Sequence, residues 1–73
     1  MSAVKFDKKS VEWQMFVDYW NICQEYWIPC DNDEYWQGLL DIMNVFMEKY
    51  KNVPLSQKLA LAFIESQELK NKR

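Results

Sequence analysis

A chain of 73 residues has room for one domain, and with one Gly and two Pro it cannot supply the many turns of a sandwich of short strands. No run approaches the ~20 apolar residues of a membrane span, and a chain without His lacks the commonest general base and metal ligand. The net charge of −2 conceals an uneven distribution, because Ser10 to Glu48 holds eight acids and no Lys or Arg while both ends are basic.

The first helix is expected over about residues 8–27. Asp7 suits the N-cap, with Phe6 stapled onto Val11, and Ser10 is the rival cap. From there Trp13, Phe16, Trp20, Cys23 and Trp27 recur at spacings of three and four, an apolar stripe at helical period. The triplets Asp18-Tyr19-Trp20 and Glu25-Tyr26-Trp27 stand seven residues apart, which is two helical turns, and Glu34-Tyr35-Trp36 is a third copy. The repeat predicts Trp inward, Tyr at the boundary and the acid outward. Ile28-Pro29 ends the helix, since Pro disfavours helical geometry in the residue before it.

The second helix, about 32–52, starts at Asp31 or Asp33, with Asp31 and Glu34 in the form of a capping box. Its stripe is Trp36, Leu39, Met43, Phe46 and Tyr50, widened by Leu40 and Met47. Gly38 lies on the polar side, costs about 1 kcal/mol relative to Ala, and permits a close contact. Lys49, Lys51 and Asn52 close the helix, and Val53-Pro54 is the second hinge. The third helix, about 56–70, is capped by Ser56 or begins at Pro54, and carries Leu55, Leu59, Ala62, Phe63 and Leu69. Three helices with short connections predict an all-α, antiparallel three-helix bundle spanning 1–73 as one domain. The expected core is Trp13, Phe16, Trp20, Trp27, Trp36, Leu39, Met43, Phe46, Leu59 and Phe63, and Trp20→Ala is expected to cost roughly 3–5 kcal/mol.

Two surface features stand out. The acids Asp18 and Glu25, and then Glu34, Asp41 and Glu48, recur every seven residues opposite their helices' apolar seams, without the Lys that would normally interleave them. They form either a solvated outer face or a row that engages a basic partner. The apolar arc of the first helix also exceeds the ~100° that one contact needs. Tyr19, Tyr26, Met15 and Ile22 are therefore expected either to shoulder the core or to line a second buried face, a homodimer seam or partner site.

Other chemistries have little support. Asp31-Asn32-Asp33-Glu34 lacks the ligand and Gly that a calcium loop needs at its fifth and sixth positions, which here are Tyr35 and Trp36. No acid is expected on an apolar seam, where burial would tune it for catalysis, and Cys23 and Cys30 have no imidazole base. Cys23 reads as a small buried hydrophobe and Cys30 as a turn residue. The chain is expected to be non-enzymatic, with no metal or cofactor. The helix pair around Val53-Pro54 mimics a helix-turn-helix, but Gln57, Lys58 and Gln67 are offset by Glu65 and Glu68, and the acidic body repels a duplex. Direct nucleic-acid binding through the basic C-terminal helix is the alternative. Met1 to Asp7 has no apolar stretch of a signal peptide, so a cytoplasmic location is expected.

The segment Tyr26-Trp27-Ile28-Pro29-Cys30-Asp31-Asn32-Asp33-Glu34-Tyr35-Trp36 resembles a turn in short uncharacterised proteins of Gram-positive bacteria, their phages and mobile elements. There an aromatic helix ends at Pro and restarts with Asp-Asn-Asp-Glu-Tyr-Trp. The resemblance implies a small phage or mobile-element accessory protein and carries over no functional residue. The expected function is protein binding: an aromatic patch supplies affinity and flanking acids steer toward a basic partner, in one version as a mimic of DNA. The other outcomes are nucleic-acid binding by the basic tail, Lys70, Lys72 and Arg73, or a purely self-assembling role.

Overall fold

The computed structural model describes residue 7 and residues 9–71. The chain forms three helices, α1 (Val11–Glu25), α2 (Asp33–Lys49) and α3 (Leu55–Asn71), with every pair in contact and no strand among the described residues. The expected all-α three-helix bundle is the fold. Its order is up, down, up. The end of α1 meets the start of α2, where the Tyr26 and Tyr35 rings lie edge to face at 5.5 Å, while Asp18 lies beside Lys49 at the end of α2. Turning again, α3 sets Ser56 against the Tyr50 carbonyl and Gln67 against Tyr35.

The helix ends follow local chemistry, with different residues in the capping roles than expected. Ser10 is the N-cap of α1, accepting from the Trp13 N–H at 3.2 Å. Asp7 instead shapes the preceding turn: its side chain accepts from the Lys9 N–H and its carbonyl from the Ser10 N–H and hydroxyl. The Phe6 staple lies outside the described residues. Asn32, not Asp31 or Asp33, caps α2 by accepting from the Tyr35 N–H at 2.7 Å. An amide oxygen satisfies that donor as well as a carboxylate does, and it leaves Asp33 and Glu34 in the first turn, where the helix dipole favours them. Ser56 is neither cap nor solvent-facing: it is buried within the first turn of α3, and its hydroxyl donates to the Tyr50 carbonyl at 3.0 Å.

The core is built by three ladders at spacings of four, three and four: Met15-Tyr19-Ile22-Tyr26, Leu39-Met43-Phe46-Tyr50 and Ser56-Ala60-Phe63-Gln67. Only the second matches the expected stripe. On α1 the expectation is reversed. Met15 and Ile22 are 0% and 8% exposed, whereas Trp13, Phe16, Trp20 and Trp27, assigned to the core from sequence, stand on the surface. Helices in a compact bundle pack ~8–10 Å apart, and indoles along the contact would hold α1 away from both neighbours. Met and Ile are slender enough to let it approach, and Tyr19 fills the junction by contacting the Phe46 ring at 5.9 Å and the Phe63 ring at 6.4 Å. Of the expected core, Leu39, Met43, Phe46 and Phe63 are buried, and Trp36 and Leu59 pack partly buried against it.

Candidate functional site: an exposed tryptophan seam

Two devices set the rotation of α1 and so decide which face it presents. The first is a set of donors at its C-terminal end. A helix leaves its last carbonyls without intrahelical partners, and here Gln67 of α3, fully buried, donates through Nε2 to the carbonyls of Tyr26 and Trp27, each at 2.8 Å. The Tyr35 hydroxyl donates to the same Tyr26 carbonyl at 2.6 Å and accepts from Gln67 Nε2 at 3.2 Å. Lys70 completes the cap. Its Nζ donates to the Trp27 carbonyl at 3.2 Å and lies 3.4 Å from the centroid of the Trp27 ring, a cation–π contact. This capping by α2 and α3 stops α1 at Glu25, short of the position that Pro29 alone implies.

The second device is Asp18. Its carboxylate receives Lys49 Nζ at 2.9 Å, the Tyr50 hydroxyl, and Gln14 Nε2 at 3.0 Å. The side chain is 25% exposed, at the edge of the α1–α2 contact. The expectation that every acid points away from the packed seams therefore fails at Asp18: a carboxylate can sit there because three donors replace the water it loses. Burial pushes its pKa up, but the hydrogen bonds from Lys49, Tyr50 and Gln14 and the charge of Lys49 outweigh that, leaving it below the ordinary value. Tyr50 is shifted the other way, raised by its burial and by the adjoining Asp18 carboxylate.

With α1 locked in this rotation, Trp13, Val17, Trp20 and Trp27 remain 38%, 36%, 64% and 57% exposed. Trp13, Phe16, Val17 and Trp20 line one shallow apolar depression. Beside it, a groove between α1 and α3 is walled by Trp20, Cys23, Trp27, Ala62 and Ser66 and floored by the buried Phe63 ring, which stacks on Trp27 at 6.4 Å. The two share Phe16 and Trp20, so they form one continuous aromatic face.

The residues singled out from sequence fall into two groups. Tyr19, Tyr26, Met15 and Ile22, expected as a possible outer seam, are the inner face of α1 instead. They cannot line a surface seam while the bundle is folded, and the spare apolar face is the opposite, tryptophan side. Among the acids, Asp18 is held by Lys49 and Tyr50, whereas Glu25, Glu34, Asp41 and Glu48 are exposed. Asp41 accepts from Gln37 Nε2 at 2.9 Å, and Glu48 pairs loosely with Lys51 at 3.6 Å. The structural roles of Gln67 and Lys70 escaped sequence reading because a polar Gln or Lys is not counted in an apolar stripe. The heptad echo of Gln67 with Ser56, Ala60 and Phe63 was the available sign.

Both thiols are free, Cys30 exposed and Cys23 half-buried; burial pushes the Cys23 pKa up, away from the reactive thiolate. Among the described residues no three His, Cys, Asp or Glu side chains gather as metal ligands, and no helix is long and apolar enough to cross a membrane. No protein-family profile, curated protein sequence or solved structure matches this chain.

Proposed function

We propose that this protein is a non-enzymatic interaction module and that its affinity-bearing surface is the tryptophan face of α1. The observation that carries this reading is the exposure of Trp13, Val17 and Trp20 along one side of a helix whose other side is already buried in the bundle, with Trp27 exposed just past the helix end. Exposed apolar patches of this kind mark interaction sites, and Trp is the residue most enriched among side chains that dominate binding energy. The exposed acids Glu25, Glu34, Asp41 and Glu48 give the body a negative field that favours encounter with basic surfaces. A role in binding, not chemistry, also suits a chain without His whose half-buried thiol has a raised pKa. Direct reading of nucleic acid is less well supported, because Gln67 is buried and Lys70 is committed to the end of α1. The resemblance of the Asp-Asn-Asp-Glu-Tyr-Trp turn to one in short proteins of phages and mobile elements supports reading the module as an accessory protein of that kind.

Affinity capture from a bacterial lysate, with and without nuclease, tests the reading. A protein partner that survives nuclease and is lost with Trp13→Ala and Trp20→Ala is expected. Capture that disappears with nuclease treatment and is indifferent to both substitutions contradicts it.

A further inference from the structure

Helices α1 and α2 pack side by side in opposite directions, and a groove of about 310 Å³ runs along their junction. The buried Ile22 and Phe46 floor it. Ile42 and Val45 form its α2 wall, with Val45 62% exposed, and Asn21 and Glu25 form its α1 wall. Asn21 and Glu25 lie roughly 100–140° around α1 from Trp20, so this groove is a surface separate from the tryptophan face.

The two acid rows meet here. Asp18 and Glu25 stand seven residues apart on the α1 side. On α2, Asp41 precedes Val45 by four residues and Glu48 follows it by three. Residues three and four apart share a helix face, so the row Glu34, Asp41 and Glu48 follows the outer lip of the α2 wall. The rows are distant along the chain, and the packing of α1 on α2 sets them on opposite sides of one apolar groove. Lys49, the cation of the lining, is held by Asp18 at 2.9 Å. Glu25, Glu34 and Asp41 have no ion pair among the described residues, and Glu48 has only the loose one with Lys51 at 3.6 Å.

We propose that this groove docks an amphipathic basic helix of a partner protein, with apolar side chains seated on Ile22, Ile42 and Val45 and with Lys or Arg on either side facing Glu25, Asp41 and Glu48. Shape and spacing favour a helix. A groove between two packed helices is the seat that a further amphipathic helix takes. Seven residues of helix rise about 10.5 Å, so bases at i and i+7 of the ligand match the repeat of either acid row. The volume of about 310 Å³ is at the lower limit of small-molecule sites, ~300–1,000 Å³, and suits inserted side chains. Charge selects the sign. A second copy of this chain, a nucleic-acid duplex and an anionic membrane would all bring negative charge to the acid rows and be repelled. The carboxylates stay at the exposed rim, so they set partner choice and encounter rate, while contact with Ile42 and Val45 supplies most of the affinity.

Calorimetric titration of the full chain with a synthetic amphipathic helix tests the proposal. The probe is a Leu/Lys peptide of about five turns, with Leu at every third or fourth position and Lys on both flanks. One-to-one binding is expected, with no binding of the same peptide carrying Glu in place of Lys. Val45→Lys changes an exposed position on the lip and should weaken binding at least tenfold, with the helical circular-dichroism signal retained. Glu25→Gln with Asp41→Asn should weaken it about threefold to tenfold. Glu12→Gln with Glu65→Gln removes the same charge away from the groove and should leave binding unchanged. In the wild type, amide resonances of Ile22, Ile42 and Val45 should shift on titration, a readout independent of any variant. No binding up to several hundred micromolar overturns the proposal, as does equal binding of the Lys and Glu peptides. Equal weakening by the two neutralised pairs also overturns it, because the general negative field would then account for the binding. Binding that is lost with Trp20→Ala but indifferent to Val45→Lys overturns the groove and leaves the tryptophan face standing.

Discussion

Gly38 shows how one missing atom shapes the α1–α2 junction. A Cβ at this position would lie 2.9 Å from the Tyr26 hydroxyl, so the glycine makes room for a ring that also packs on Tyr35. Gly38→Ala should gain about 1 kcal/mol of helix propensity and lose most of it by displacing Tyr26. In a Tyr26→Phe background the gain should reappear. Urea denaturation of the four variants checks this, and additive effects would contradict the contact. At Asp18 the folded pKa lies below the ordinary 3.8. The unfolded chain therefore binds the proton first as pH falls, so the contribution of Asp18 is present above 3.8 and is lost as pH drops toward the folded value. Between pH 7 and pH 3 the wild type should lose stability more steeply than Asp18→Asn, as read by urea midpoints. Gln67→Met preserves length but removes the donor that serves the Tyr26 and Trp27 carbonyls, and should cost about 1–3 kcal/mol.

Helix α1 separates burial from size. Met15 is fully buried and Trp20 is largely exposed, so Met15→Ala should cost about 2–5 kcal/mol, whereas Trp20→Ala, measured where the chain is monomeric, should stay within about 1 kcal/mol. Chemical denaturation of the two variants side by side distinguishes this rotation of α1 from the one with indoles inward, which requires the opposite order. The existence of the helices was legible because Leu39, Met43, Phe46 and Tyr50 form a single unambiguous stripe on α2 and because Pro29 and Pro54 punctuate the chain. Helix α3 was legible only as a helix. Its inward ladder of Ser56, Ala60, Phe63 and Gln67 contains one large apolar side chain, and its larger residues Leu55, Leu61 and Leu69 remain exposed.

Across the whole molecule, tyrosines join the three helices, and this gives the fold an alkaline limit. Burial, with smaller contributions from Cys23, pushes the Tyr19 phenol up to about 12, and burial also raises Tyr35 and Tyr50. A raised pKa means that the folded state keeps the proton longer. Stability supplied by these groups is therefore full below the ordinary value of 10.0 and lost as pH rises through the folded values. Urea midpoints should fall between pH 9 and pH 12, and Tyr19→Phe should flatten that fall. The tryptophan face lies outside this network of core tyrosines except where Trp27 meets Phe63 and Lys70. Substitutions at Trp13 and Trp20 should accordingly alter association while leaving the bundle folded.

The amino-acid sequence by itself determined that the chain is helical, where its helices break, and that α1 has more apolar surface than one contact can bury. These properties follow from local spacing, capping residues and proline, each of which acts within a few residues along the chain. Which of the two faces of α1 turns inward was decided only by the tertiary structure. Both faces repeat at helical period, so periodicity cannot rank them, and hydrophobicity alone favours the tryptophans. The choice rests on partners distant in sequence: Lys49 and Tyr50 receive Asp18, Gln67 and Lys70 cap the end of α1, and a narrow three-helix junction accepts Met15 and Ile22 more readily than indoles.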